Sequence, residues 1–105
     1  DARLICRSAA RTGRLVIADT GWRSYGVSAE IAARAAEELW GLLKAPVRRV
    51  ALPEVPTPGS SALEAAYYPG AREIVAVVKQ CLEAPAAAGG DGVVTSHRKE
   101  FEGPF

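Results

Sequence analysis

The stretch that most constrains this fold is L-V-I-A at residues 15–18, an unbroken apolar run with two β-branched members, set between Arg14 and Asp19. A segment apolar at every position has no face to show to water, so it reads as a strand covered on both sides, central in a parallel sheet. Parallel strands need long crossover connections, and the flanking sequence supplies them as helices. Before the run, residues 2–10 put Leu4, Ile5, Ser8 and Ala9 on one side while Arg3, Arg7 and Arg11 recur every fourth position on the other. That pattern is an amphipathic helix, ended by Thr12 and Gly13. After the run, D-T-G-W-R-S-Y-G at residues 19–26 reads as a loop. It leads into a long helix over residues 27–43, with Val27, Ile31, Leu39, Leu42 and Leu43 on or near one face and Glu30–Arg34 and Arg34–Glu38 as surface pairs.

Ala45 and Pro46 break that helix, and V-R-R-V-A-L at residues 47–52 is a second, more polar strand, expected nearer an edge. Pro53, Pro56 and Pro58 then impose an extended surface loop. Ser61 and Glu64 have capping-box spacing and begin a short helix to Tyr67, and Pro69 and Gly70 separate it from a last helix carrying Ile74, Val77, Val78, Cys81 and Leu82. Alternating helices and apolar strands argue for an α/β fold, a three-layer α/β/α arrangement with a mainly parallel sheet. Residues 1–83 form the domain, and residues 84–105 form a flexible linker with an aromatic-tipped tail. Two strands are too few for a buried parallel sheet, and the chain of 105 residues has no methionine, so we expect a piece of a longer protein truncated at its N-terminal strands.

Charge and composition narrow the functions. Thirteen basic against 12 acidic residues, with no long run of one sign, leave nucleic acid and anionic membranes without an electrostatic footprint. No apolar stretch approaches the roughly 20 residues that cross a bilayer, and the expected location is cytoplasmic. Alanine supplies 20 residues against 22 of Val, Ile and Leu together, so the core is thin and suited to close helix packing. Cys6 and Cys81 fall inside apolar helical patterns without paired C-x-x-C spacing, and read as buried thiols.

The richest motif is the strand–loop–helix passage through Asp19, Gly21, Trp22, Tyr25, Gly26 and Glu30. A loop at the carboxyl end of a parallel strand, followed by a helix, can offer free N–H groups to an anion. The structural alternative is that the two glycines supply unusual backbone angles while Trp22 and Tyr25 pack against another chain. Gly21 and Gly26 match the first spacing of a phosphate loop, but Val27 stands where its Lys is required, and there is no G-x-G-x-x-G. His97 stands alone in the tail. Glu37 and Glu38 lie ~100° apart around a helix and cannot converge on one atom. No nucleophile-elbow or triad spacing occurs. Catalytic, cofactor-binding and metal residues are therefore expected to be none. Interface anchors are the better expectation, namely Trp22 and Tyr25 in the glycine loop, Tyr67 and Tyr68 before Pro69, and Phe101 and Phe105 at the tail.

The run R-T-G-R-L-V-I-A-D-T-G-W-R-S-Y-G-V-S-A-E-I-A-A-R, then A-P-V-R-R-V-A-L-P-E-V-P-T-P, then L-E-A-A-Y-Y-P and R-E-I-V, resembles the C-terminal, transketolase-like domain of the beta subunit of thiamine-diphosphate-dependent 2-oxoacid dehydrogenases. The resemblance spans residues 2–82. It implies a parent oxidoreductase, an alpha2beta2 heterotetramer that decarboxylates a 2-oxoacid, pyruvate being the first expectation, on thiamine diphosphate with Mg2+ and passes the acyl group to a lipoyl arm. The cofactor of that parent lies between the alpha subunit and the beta subunit's N-terminal domain, so no activity and no bound cofactor are expected of this piece alone. The resemblance further implies that this domain assembles with a second beta subunit and docks the subunit-binding domain of the dihydrolipoyl acyltransferase. Asp19 stands where relatives often carry Glu, and Ser28 where they often carry Gly. The alternatives are the equivalent domain of another thiamine-diphosphate enzyme of transketolase type, and a free-standing α/β binding module.

Overall fold

The computed structural model describes residues 1–85. Its elements are α1 (Ala2–Thr12), β1 (Val16–Trp22), α2 (Val27–Glu38), β2 (Arg48–Leu52), α3 (Ser61–Tyr67) and α4 (Ala71–Glu83). This is the α/β order read from the sequence. The strands pair in parallel, with Val16 opposite Arg48, Ile17 opposite Arg49 and Ala18 opposite Val50. The ladder is irregular between Ala18 and Trp22 and resumes where Trp22 meets Leu52. α2 is the crossover helix and packs on β1, α4 packs on β2 and β1, and α1 packs on α2.

α1 opens with the Asp1 carboxylate accepting from the Leu4 N–H at 3.3 Å, and it closes on Gly13, whose φ of 70° suits a left-handed cap. A side chain on Gly13 would also press into the Lys44 stem, because the Lys44 N–H donates to the Gly13 carbonyl at 2.7 Å. Cys6 and Ala9 of α1 meet Ala35 and Leu39 from α2, with Leu15, Leu43 and Val47 around them. Small side chains at three of those central positions, Cys6, Ala9 and Ala35, let the two helices approach closely. Leu4, expected on the apolar side of α1, is instead 61% exposed.

Four local expectations are corrected. β1 runs on to Trp22, because Asp19 to Trp22 lie alongside β2 and the Arg23 N–H still reaches the Leu52 carbonyl at 3.2 Å. β1 is not covered on both faces among the described residues: Ile17 is buried, whereas Ala18 is exposed. α2 stops at Glu38 rather than continuing through residue 43, since Gly41 adopts a φ of 77° that no right-handed helix accommodates. In α3 the cap is Ser60, whose hydroxyl accepts from the Leu63 N–H at 3.4 Å, so the capping residue lies one position before the one the spacing suggested. Both cysteines are buried and free, as expected.

Candidate functional site

The passage from β1 to α2 is held from inside by Asp19. Its carboxylate accepts from the Gly21 N–H at 3.0 Å with one oxygen and from the Ser28 N–H at 3.3 Å with the other. The second bond places a negative charge on the first turn of α2, where the free N–H groups and the helix dipole favour one. The chain's own carboxylate thus occupies the position that an external anion would take. Ser28 is fully buried beneath it, and its hydroxyl has no partner among the described residues.

The glycines do not act as expected. Neither Gly21 nor Gly26 has a positive φ; the left-handed residue of the loop is Tyr25, at 56°. Gly26 is required for close approach instead, since a Cβ there would collide with the Trp22 carbonyl oxygen. Gly21 sits against the Asp19 carboxylate, 3.0 Å from where its Cβ would be. This tight turn projects Tyr25 wholly into solvent and leaves Trp22 56% and Val27 67% exposed. Arg23, Tyr25, Glu30 and Arg49 line a shallow open hollow of about 590 Å³ beside them. Arg49 donates to the Arg23 carbonyl at 2.6 Å, and Glu30 pairs with Arg34 at 2.8 Å on the α2 surface.

The second expected aromatic group divides. Tyr67 is buried, with its hydroxyl donating to the Val55 carbonyl at 3.0 Å, so it pins the proline loop instead of facing outward. Tyr68 meets the Tyr67 ring edge-on at 5.1 Å and keeps 43% of its surface exposed. The two aromatic groups are joined through the loop between β2 and α3, because the Ser24 hydroxyl donates to the Glu54 carboxylate next to Val55. Phe101, Phe105 and His97 lie outside the described residues. Sequence reading missed Trp40, which it placed within a continuous helix; Trp40 is 89% exposed just before the Gly41 turn. The L-W-G-L-L-K-A-P pattern, with glycine ahead of Ala-Pro, was the available signal.

Among the described residues no group of three His, Cys, Asp or Glu side chains converges on a metal position. What the site offers is rigidly presented aromatic and arginine surface, the side-chain types that dominate protein interfaces. The family model described as transketolase, C-terminal domain, matches residues 1–74. The mitochondrial pyruvate dehydrogenase E1 component subunit beta of Ascaris suum is 39% identical over 83 residues, 78% of this chain and 23% of that protein. The corresponding subunit of Caenorhabditis elegans is 40% identical over 83 residues, 78% of this chain and 24% of its own length. The acetoin:2,6-dichlorophenolindophenol oxidoreductase subunit beta of Bacillus subtilis is 36% identical over 86 residues, 82% of this chain and 25% of that subunit. The chain therefore spans about a quarter of the length of these curated relatives.

Proposed function

The chain belongs to the transketolase C-terminal domain family, and from that premise we propose that it is the assembly and partner-docking domain of the beta subunit of a 2-oxoacid dehydrogenase complex. The observation that carries this reading is the aromatic loop: Trp22 and Tyr25 project from a turn that Asp19 and Gly26 fix, in a chain whose relatives are beta subunits of pyruvate and acetoin oxidoreductases. Anchors presented by a pre-shaped loop lose little freedom on binding, which favours affinity. On this reading the parent enzyme pairs this subunit with an alpha subunit and a second beta subunit. It decarboxylates a 2-oxoacid such as pyruvate and hands the acyl group to the lipoyl acyltransferase, whose subunit-binding domain docks here.

Thiamine diphosphate and Mg2+ belong to the parent's chemistry on this proposal, and the described residues do not fit them. The helix N-terminus best placed for a diphosphate already holds Asp19, and no carboxylate cluster stands by for the metal. No catalytic step is assigned to this domain.

The test is titration calorimetry of the full-length beta subunit, assembled with its alpha partner, against the acyltransferase subunit-binding domain. Tyr25→Ala and Trp22→Ala are each expected to weaken binding about tenfold or more, while the thermal midpoint of Tyr25→Ala stays within a degree or so of the parent. Undiminished affinity in both variants would remove the loop from the docking surface. No binding by the intact assembly would remove the docking role altogether.

A further inference from the structure

Two arginines open β2, and a third follows the end of β1. Arg23, Arg48 and Arg49 line one hollow of about 330 Å³, together with Gln80 of α4 and the apolar Val47 and Val77. Successive strand residues point to opposite faces, so Arg48 and Arg49 bring guanidinium groups to it from both sides of β2. Among the described residues no carboxylate lines the hollow, and the one ion pair, Arg34 with Glu30, includes none of these arginines. The carboxylates of the surrounding elements do not neutralise them. Glu30 holds Arg34, Glu54 accepts from the Ser24 hydroxyl, and Glu83, one turn beyond Gln80 on α4, is in no ion pair among the described residues. Two further cations stand by, Lys79 next to Gln80 and Arg14, whose Nε donates to the Cys81 carbonyl at 3.1 Å.

Like charges drawn together repel, and an anion seated between them turns that repulsion into attraction. Arg49 is already oriented for one. A single N–H of its half-buried guanidinium donates to the Arg23 carbonyl at 2.6 Å, which fixes the group and leaves its other donors for a ligand. We propose that this hollow binds a small phosphate monoester as its dianion. A phosphate group carries nearly two negative charges at neutral pH and three terminal oxygens, a match for three guanidinium forks, whereas a carboxylate offers one charge and two oxygens. The volume lies at the lower end of small-ligand sites, which suits a phosphate on a short organic stem. Arg23 and Arg49 also line the hollow beside Tyr25, so a bound phosphate grips the base of the aromatic loop. The inference goes beyond the docking role assigned to Trp22 and Tyr25 and does not rest on it.

The test is calorimetric titration of the full-length polypeptide that carries these residues with glycerol 2-phosphate, and in parallel with dimethyl phosphate, a diester of one charge. Saturable binding of the monoester at one site per chain is expected, with Kd of about 1 mM or below, and binding of the diester about tenfold weaker or more. Arg23→Gln and Arg48→Gln, both at exposed side chains, are each expected to weaken the monoester about three- to fivefold with the thermal midpoint unchanged. Arg7→Gln, which removes the same charge from the exposed face of α1, should leave the affinity as it was. Absence of saturable binding, equal affinity for the diester, no loss in either hollow variant, or an equal loss in Arg7→Gln would each overturn the proposal.

Discussion

At Gly26 the constraint is contact, not torsion. Its φ of −87° is open to any residue, yet a Cβ would meet the backbone carbonyl of Trp22, which has no flexible end to move aside. Gly26→Ala is expected to cost about 1–3 kcal/mol, read from the denaturation midpoint. Gly59→Ala, where a Cβ meets open space, should stay within about 0.5 kcal/mol. Equal effects at the two glycines would refute the steric account. The cysteines give a second check. Cys6 is buried, and burial first, then the Glu38 carboxylate through hydrogen bonding and charge, push its thiol up, against a smaller pull from Arg34. Cys81 is still less exposed. Neither thiol should react with an aromatic disulfide reagent near pH 8 in the native chain, and both should react in denaturant. That both thiols would be buried was legible, since their helical spacing shows in the sequence. That Tyr25 rather than a glycine takes the left-handed conformation was not, because it follows from how Asp19 ties the turn to α2.

At the scale of elements, ends were harder to read than middles, for physical reasons visible at each boundary. Two adjacent serines, Ser60 and Ser61, both suit a helix start, and only backbone direction decides that Ser60 caps α3. Ser60→Ala is therefore expected to destabilise by about 0.5–2 kcal/mol, and Ser61→Ala by under about 0.5 kcal/mol, in parallel urea titrations. α4 begins differently, with the Glu73 carboxylate accepting from the Gly70 N–H at 2.8 Å. Hydrogen bonds from its own backbone N–H and from Gly70 hold Glu73 below the usual glutamate range. A group depressed in the folded state contributes stability above its unfolded pKa and loses it as pH falls through the folded value. The melting temperature should thus drop on acidification below the ordinary glutamate pKa, and drop less in Glu73→Gln over the same window. Identical acid limbs would show that the bond does not bear on stability. The far end of α2 was misread because leucines at residues 39, 42 and 43 extend an apolar pattern past the point where Gly41 turns the backbone. That turn is what creates a groove under Trp40.

The molecule as a whole carries more apolar surface than its own elements cover. Ala18 lies open on β1, and α4 packs on the sheet while leaving Val75, Val78 and Leu82 exposed at helical spacing. Among the described residues β1 bonds only to β2, so the N–H and C=O groups of its other edge are free to take a further strand. This incompleteness was legible from the L-V-I-A run, which asks for more neighbours than two strands provide. A domain spanning about a quarter of its relatives' length leaves ample chain in a full-length counterpart to supply them. Released on its own, the 105-residue chain has to satisfy the edge and the apolar faces with copies of itself. Sedimentation equilibrium should then give a mass well above 11.0 kDa that rises with concentration. Ala18→Lys puts a solvated ammonium on the open strand, a change that natural edge strands use against pairing, and should move the average mass back toward the monomer. A monomer at every concentration would mean that α1, α2 and α4 already shield the sheet well enough for the domain to stand alone. The open edge would then lose its place as the surface through which the rest of the subunit attaches.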